Sequence, residues 1–158
     1  MALSKVRIGR TVLTGCAALL LAATPSVADT PTPAHLVVVP MAPDPVAPGG
    51  TTAVHAFVAN EGPGTTAQPF TVTVTLPPAV TAVGPFFPND CTVDVTMRAV
   101  TCVFPAGLPQ GRTATALVPA QVPPDQPPGG LRGGLVVLTS AEDANTTSHA
   151  AEFTIAVR

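Results

Sequence analysis

The side chains of this chain that could do chemistry are few and widely spaced. Beyond residue 28 there are two cysteines (Cys91, Cys102), two serines (Ser140, Ser148) and three histidines (His35, His55, His149). Nucleophilic catalysis needs a hydroxyl or thiol held beside a base. Neither serine stands in a Gly-x-Ser-x-Gly elbow, and the histidines fall on three separate segments. No His/Cys spacing resembles a zinc site. The expectation is a protein that is not an enzyme and has no cofactor, no metal and no catalytic residues. One softer chemistry involves carboxylates. Glu142, Asp143 and Asn145 share one turn, and Asp90 and Asp94 lie in or beside another loop. Oxygen ligands of this kind hold Ca²⁺ when their loops meet. The alternative is turn chemistry, in which Asp and Asn bond their own backbone.

Cys91 and Cys102 carry more information. Ten residues lie between them, at the two ends of a pattern that reads as one β-hairpin. If they face each other across antiparallel strands, Val93 pairs with Val100 and Thr92 with Thr101. Cys91, Val93, Val100 and Cys102 then share one face, and Thr92, Asp94, Ala99 and Thr101 the other. A slip of one residue would spoil that sorting, so the pattern supports a Cys91–Cys102 disulfide. The alternative is a pair of buried free thiols.

The N-terminus explains why a disulfide is plausible. Lys5, Arg7 and Arg10 precede an apolar stretch over residues 11–24, and Ser26-Val27-Ala28 offers small residues at the positions a signal peptidase reads. Cleavage before Asp29 is expected, with an uncleaved anchor as the alternative, although the stretch is short for a bilayer. Leu13-Thr14-Gly15-Cys16 also resembles a lipobox, which would make Cys16 a lipidated terminus. Export to an oxidising compartment with an even cysteine count is the setting in which disulfides persist. With the three signal cations gone, seven Lys and Arg fall to four against nine Asp and Glu, and the formal charge moves from −2 to −5. Arg98, Arg112, Arg132 and Arg158 form no basic stripe, so nucleic acid is not an expected partner. No later apolar run is long enough to span a membrane.

The elements that must position these residues read as strands. Residues 29–34 form a Pro/Thr linker, and residues 35–158 one domain. Leu36 to Val39 is an apolar run. Thr51 to Asn60 places Val54, Ala56 and Val58 on one face. Phe70, Val72, Val74 and Leu76 alternate with Thr71, Thr73 and Thr75, a period of two with one face buried and one wet. Further runs cover residues 80–83, 91–95, 99–104, 112–118, 135–140 and 151–158. Proline and glycine fall between the runs, and residues 119–130 read as a proline-rich connection. Seven or eight short strands with turns between them predict an all-β antiparallel sandwich. In the loop over residues 84–90, adjacent Phe86 and Phe87 point to opposite sides. One is expected in the core and the other exposed, where it either plugs the sandwich or anchors a partner.

Several motifs in order resemble a known family. Val46-Ala47-Pro48-Gly49-Gly50 precedes the second strand, and Asn60-Glu61-Gly62-Pro63 follows it, with Ala67 beyond. Leu76-Pro77-Pro78 ends the third. Cys91, Val100-Thr101-Cys102, Leu108 and Gly111 come next, then Ser140, Asp143 and Asn145. Over residues 36–157 the chain resembles the bacterial surface-protein repeat called domain of unknown function eleven, present here in one copy. The resemblance implies an immunoglobulin-like sandwich in a secreted or surface setting and no known activity. Asn145-Thr146-Thr147 fits a glycosylation sequon, but signal and family both look bacterial, so no glycan is expected. The expected function is a secreted immunoglobulin-like domain with a non-enzymatic structural or protein-interaction role at or outside the cell surface. The alternative is a binding module for an extracellular ligand such as a cell-wall polysaccharide. Against it, the chain has no tryptophan or tyrosine to stack on sugars.

Overall fold

Strands form where apolar and polar residues alternate. β1 (Leu36–Val39), β2 (Thr51–Asn60) and β3 (Phe70–Thr75) each bury every second residue. The computed structural model describes residues 32–158; the expected signal peptide over residues 1–28, the Cys16 alternative and residues 29–31 lie outside the described residues. The other strands are β4 (Thr81–Ala82), β5 (Thr92–Val93), β6 (Ala99–Phe104), β7 (Thr113–Gln121), β8 (Gly129–Ser140) and β9 (Ala150–Val157). Among the described residues nine strands, against the seven or eight expected, make two antiparallel sheets, in the orders β1-β2-β7-β4 and β5-β6-β3-β8-β9. This is the expected sandwich.

The inner faces meet in one core. Leu36, Val54 and Val58 from the first sheet pack with Phe70, Val72, Leu76 and Ile155 from the second. The chain changes sheets early. After β1 it crosses to the edge of β9, where Val46 N–H donates to Ala156 O (2.9 Å) and Arg158 N–H to Val46 O (3.0 Å). That single parallel bridge ties the two sheets along one edge.

Two segments depart from the sequence expectation. β7 runs through Pro119 to Gln121, so a proline stands inside a strand. Pro119 O accepts the Val83 N–H at 3.0 Å, but proline has no N–H to return the bond. The ladder between β4 and β7 is therefore short, pairing Thr81 with Gln121 and Ala82 with Ala120. β8 begins at Gly129, inside the region read as a connection, and pairs Gly129, Gly130 and Leu131 with Val157, Ala156 and Ile155. Glycines there carry no side chain to show a period of two. The register shifts between Leu131 and Gly134. Gly133 sits at φ +90°, and a Cβ at Gly134 would stand 2.5 Å from the Phe153 ring, so only glycine fits under that ring.

The hairpin of β5 and β6 has the expected register, Thr92 with Thr101 and Val93 with Val100, and Cys91 and Cys102 are disulfide-bonded. Residues 32–34, a linker by composition, lie against the domain. Pro33 O accepts the Gly64 N–H, and Ala34 is buried.

Candidate interaction surface

The structure assembles one polar cluster that the spacing did not show. Asp143, in the turn between β8 and β9, points its Oδ2 at the start of β1. That oxygen accepts the Leu36 N–H at 2.6 Å and faces His35 Nδ1 and His149 Nε2, each at 3.2 Å. Oδ1 accepts the Asn145 N–H at 3.0 Å. Burial pushes the Asp143 carboxyl up. The N–H groups of Leu36 and Asn145 and the ring of His149 outweigh that and hold it below the ordinary carboxylate value. Both rings and one N–H converge on a single oxygen, so the group is a hydrogen-bonded clasp between β1 and the β8–β9 turn. Neither serine joins it as a nucleophile. Ser148 Oγ donates to Leu36 O, and Ser140 Oγ accepts the Glu142 N–H. His55 lies on β2 and takes no part in the cluster, its ring stacking on Phe57.

Of the remaining acidic candidates, Glu142 is occupied by the backbone of a distant loop and Asp94 by that of its own turn. Glu142 accepts the N–H groups of Ala67 and Gln68. Asp94 Oδ1 accepts those of Arg98 (2.8 Å) and Ala99 (2.9 Å), and Oδ2 takes the Thr96 hydroxyl. The Ala99 N–H above all, with Thr96 and Arg98, holds the Asp94 carboxyl down at about 2. Asn145 Oδ1 caps the short 3-10 turn Thr146–Ser148 by accepting the Thr147 N–H. Among the described residues no group of three or more His, Cys, Asp or Glu side chains is placed to hold a metal ion. Turn chemistry thus accounts for Asp94 and Asn145, and Glu142 is bonded to the loop at Ala67 and Gln68. The Asn60-Glu61-Gly62-Pro63 motif is also structural. Asn60 is fully buried, accepts the N–H groups of His35 and Gly62, and donates to the carbonyls of Gly64 and Leu108. Gly62 and Gly64 let residues 32–35 pass so close that a Cβ at either would collide with backbone.

What is left uncommitted is a face. On the outer side of the β1-β2-β7-β4 sheet, β1 presents Val37 and Val39, and β2 presents Ala53, His55, Phe57 and Ala59. β7 adds Thr115, Leu117 and Pro119. Register places Val39 beside Phe57 and Phe57 beside Thr115, with His55 beside Leu117. The His55 ring lies on Phe57, centroids 5.8 Å apart and planes 13° from parallel. Phe87 bridges to Leu117 at the far edge and is 56% exposed, while Phe86 packs against the core. The two phenylalanines thus divide as expected. No Asp, Glu, Lys or Arg stands at an outward strand position of this sheet among the described residues. The outer face of the other sheet differs. It carries Thr71, Thr73 and Thr75 on β3, Thr101 and exposed Val103 on β6, Leu135 and Val137 on β8, and Glu152 and Thr154 on β9, with the Thr73 and Thr101 hydroxyls bonded to each other at 3.2 Å. The sequence signal for the apolar face was present: Ala53, His55, Phe57 and Ala59 alternate with the buried residues of β2 but are not polar.

A second feature is an open groove of about 590 Å³ where the chain leaves β1. Met41, Arg132, Glu152 and Thr154 line it. No helix among the described residues is long and apolar enough to cross a membrane.

No protein-family model matches the chain, and no curated protein matches it. Solved structures match it in fold. A chain of a cohesin–dockerin complex superposes with a TM-score of 0.50 and 13% identity, over 78% of this chain and 100% of its own. The major pilin subunit of Bacillus cereus superposes with a TM-score of 0.52 and 14% identity, over 79% of this chain and 39% of the pilin chain. This chain therefore spans well under half of the pilin's length. At such identities the likeness is one of architecture, and the chain is similar to both as an immunoglobulin-like β-sandwich.

Proposed function

We propose that this chain acts outside the cell as a non-enzymatic immunoglobulin-like module that binds protein. The observation that carries the reading is the uncharged apolar outer face built by β1, β2 and β7. Contiguous apolar surface of this kind, free of charge and rimmed by polar residues, is a feature of interaction sites. The disulfide favours an oxidising compartment, and the export signal expected over residues 1–28 agrees with it. The structural neighbours include a partner of a protein complex and a pilin subunit, both consistent with an interaction role. The resemblance to domain of unknown function eleven, with its surface setting, belongs to the same proposal.

A wall polysaccharide is the second reading. It would be served by the groove, where Arg132, Glu152 and Thr154 offer hydrogen-bonding groups, and not by the apolar face. The test is retention of wall and secreted fractions of the producing organism on the immobilised mature domain. Retention of a protein that Phe57→Asp abolishes and Thr73→Asp leaves intact is the expected result. Retention of glycan, lost with Arg132→Ala instead, would favour the second reading. An empty column would sink both.

A further inference from the structure

We infer that the free edge of β9 takes up an extended segment of another polypeptide as an added strand. The inference concerns a site apart from the apolar face and does not depend on it. Each sheet ends in two edge strands, β1 and β4 in one and β5 and β9 in the other. β1 has four residues and β4 and β5 two each, whereas β9 has eight. Short edges offer another chain little to pair with. β9 offers more. His149 O accepts the Leu138 N–H at 2.7 Å, and Ala156 O accepts the Val46 N–H at 2.9 Å. From His149 onward, odd-numbered residues therefore turn their backbone groups to β8 and even-numbered ones to the open side. Ala150, Glu152 and Thr154 are even-numbered, and among the described residues nothing pairs their N–H or C=O groups.

The chain's own neighbouring segment cannot close that edge. Residues 40–45 lead to Val46, and Pro40, Pro43 and Pro45 among them have no N–H to donate. Asp44 O accepts the Thr52 hydroxyl at 2.8 Å, which holds the segment toward β2. The groove of about 590 Å³ is lined by Pro40, Met41 and Ala42 from this segment and by Glu152, Phe153 and Thr154 from β9. From Ala150 to Thr154 is about 14 Å of extended chain. The occupant is a polypeptide, because its backbone repeats donors and acceptors at that spacing. Its charge follows from Glu152, the one charged side chain on β9, in an expected mature chain of nine acids against four arginines. A cation opposite Glu152 makes a favourable cross-strand pair, whereas an acid there is repelled. A second β9 placed antiparallel about a two-fold axis at Glu152 would set Glu152 against Glu152, which disfavours a copy of this chain as the occupant.

The test is selection of random octapeptides displayed on phage against the immobilised mature chain, read together with amide hydrogen exchange. In the free chain the amides of Ala150, Glu152 and Thr154 should exchange fast and those of Ala151 and Phe153 slowly. Slow exchange at all five overturns the inference. Selected peptides are expected to carry Lys or Arg among alternating β-branched residues and to slow the three even-numbered amides. Thr154→Pro removes an edge N–H and leaves the ladder with β8 in place. It should weaken binding of a selected peptide at least about tenfold, as should Glu152→Pro, whereas Thr73→Asp on β3 should leave it unchanged. Circular dichroism and an intact Cys91–Cys102 bond by mass spectrometry establish that each variant is folded, and two proline variants guard against one that is not. Enrichment of no peptide overturns the inference, as do peptides insensitive to both proline variants. Enrichment of acidic peptides overturns the charge assignment. Peptides lost with Phe57→Asp alone overturn the edge as the site and leave the apolar face as the binding surface. A doubled mass in sedimentation that Thr154→Pro abolishes overturns the partner assignment in favour of a second copy.

Discussion

Asp143 shows how one side chain can decide where a strand begins. Its carboxylate satisfies the first N–H of β1 and holds two imidazoles that stand more than a hundred positions apart in the chain. Removing it would leave buried donors without an acceptor, which costs about 1–3 kcal/mol. Asp143→Asn keeps the shape but not the charge. It should lower the unfolding free energy at neutral pH, measured by urea titration. Because the folded carboxyl titrates below its ordinary value, its contribution is complete above the unfolded carboxyl pKa of about 3.9. It is lost as the pH falls through the depressed folded value. The gap between wild type and Asp143→Asn should therefore close under acid conditions. A gap that is constant with pH would mean that charge plays no part. None of this was legible along the chain, because His35 and Asp143 stand more than a hundred positions apart. Their meeting depends on β1 lying beside the β8–β9 turn.

At the scale of elements, the cysteine hairpin was the most legible part. β5 has only two residues, too short to hold its place by ladder bonds alone. The disulfide at its base and the Asp94 turn at its tip supply what the ladder lacks. The paired replacement Cys91→Ala with Cys102→Ala should cost about 3 kcal/mol on the chain-entropy account, read as a lower midpoint in denaturant. It should also release the Cys91 side of the hairpin to fast amide exchange while β2 and β7 stay protected. Unchanged stability would show the bond to be incidental. β7 and β8 were less legible for opposite reasons. Pro119 looked like a strand end, yet its missing N–H falls on the side where β4 is already giving out. Gly129 and Gly130 looked like a loop, yet they pair with the last residues of β9.

At the scale of the molecule, the two sheets share one core but offer unlike faces to solvent. The shared core predicts a single cooperative unfolding transition. Far-UV circular dichroism and methyl NMR signals should give coincident midpoints for the mature chain; two separated transitions would mean that the sheets melt independently. The unlike faces explain why the threonine-lined sheet is a suitable control surface and the valine- and phenylalanine-lined one the site to mutate. Both carry a period of two, but the outward positions of β3 are threonines whereas those of β2 include His55 and Phe57.

The sequence by itself determined the strand pattern, the register of the cysteine pair and the expectation of export, because these rest on local spacing and on side chains a few residues apart. Only the tertiary structure decided the rest. It gathered His35, Asp143 and His149 on one oxygen, assigned Asn60, Gly62 and Gly64 to the packing of residues 32–35, and set the outward residues of β1, β2 and β7 side by side. Those juxtapositions follow from the order in which strands pair. That order is governed by the burial of a common core between two sheets, a property no single stretch of the chain contains.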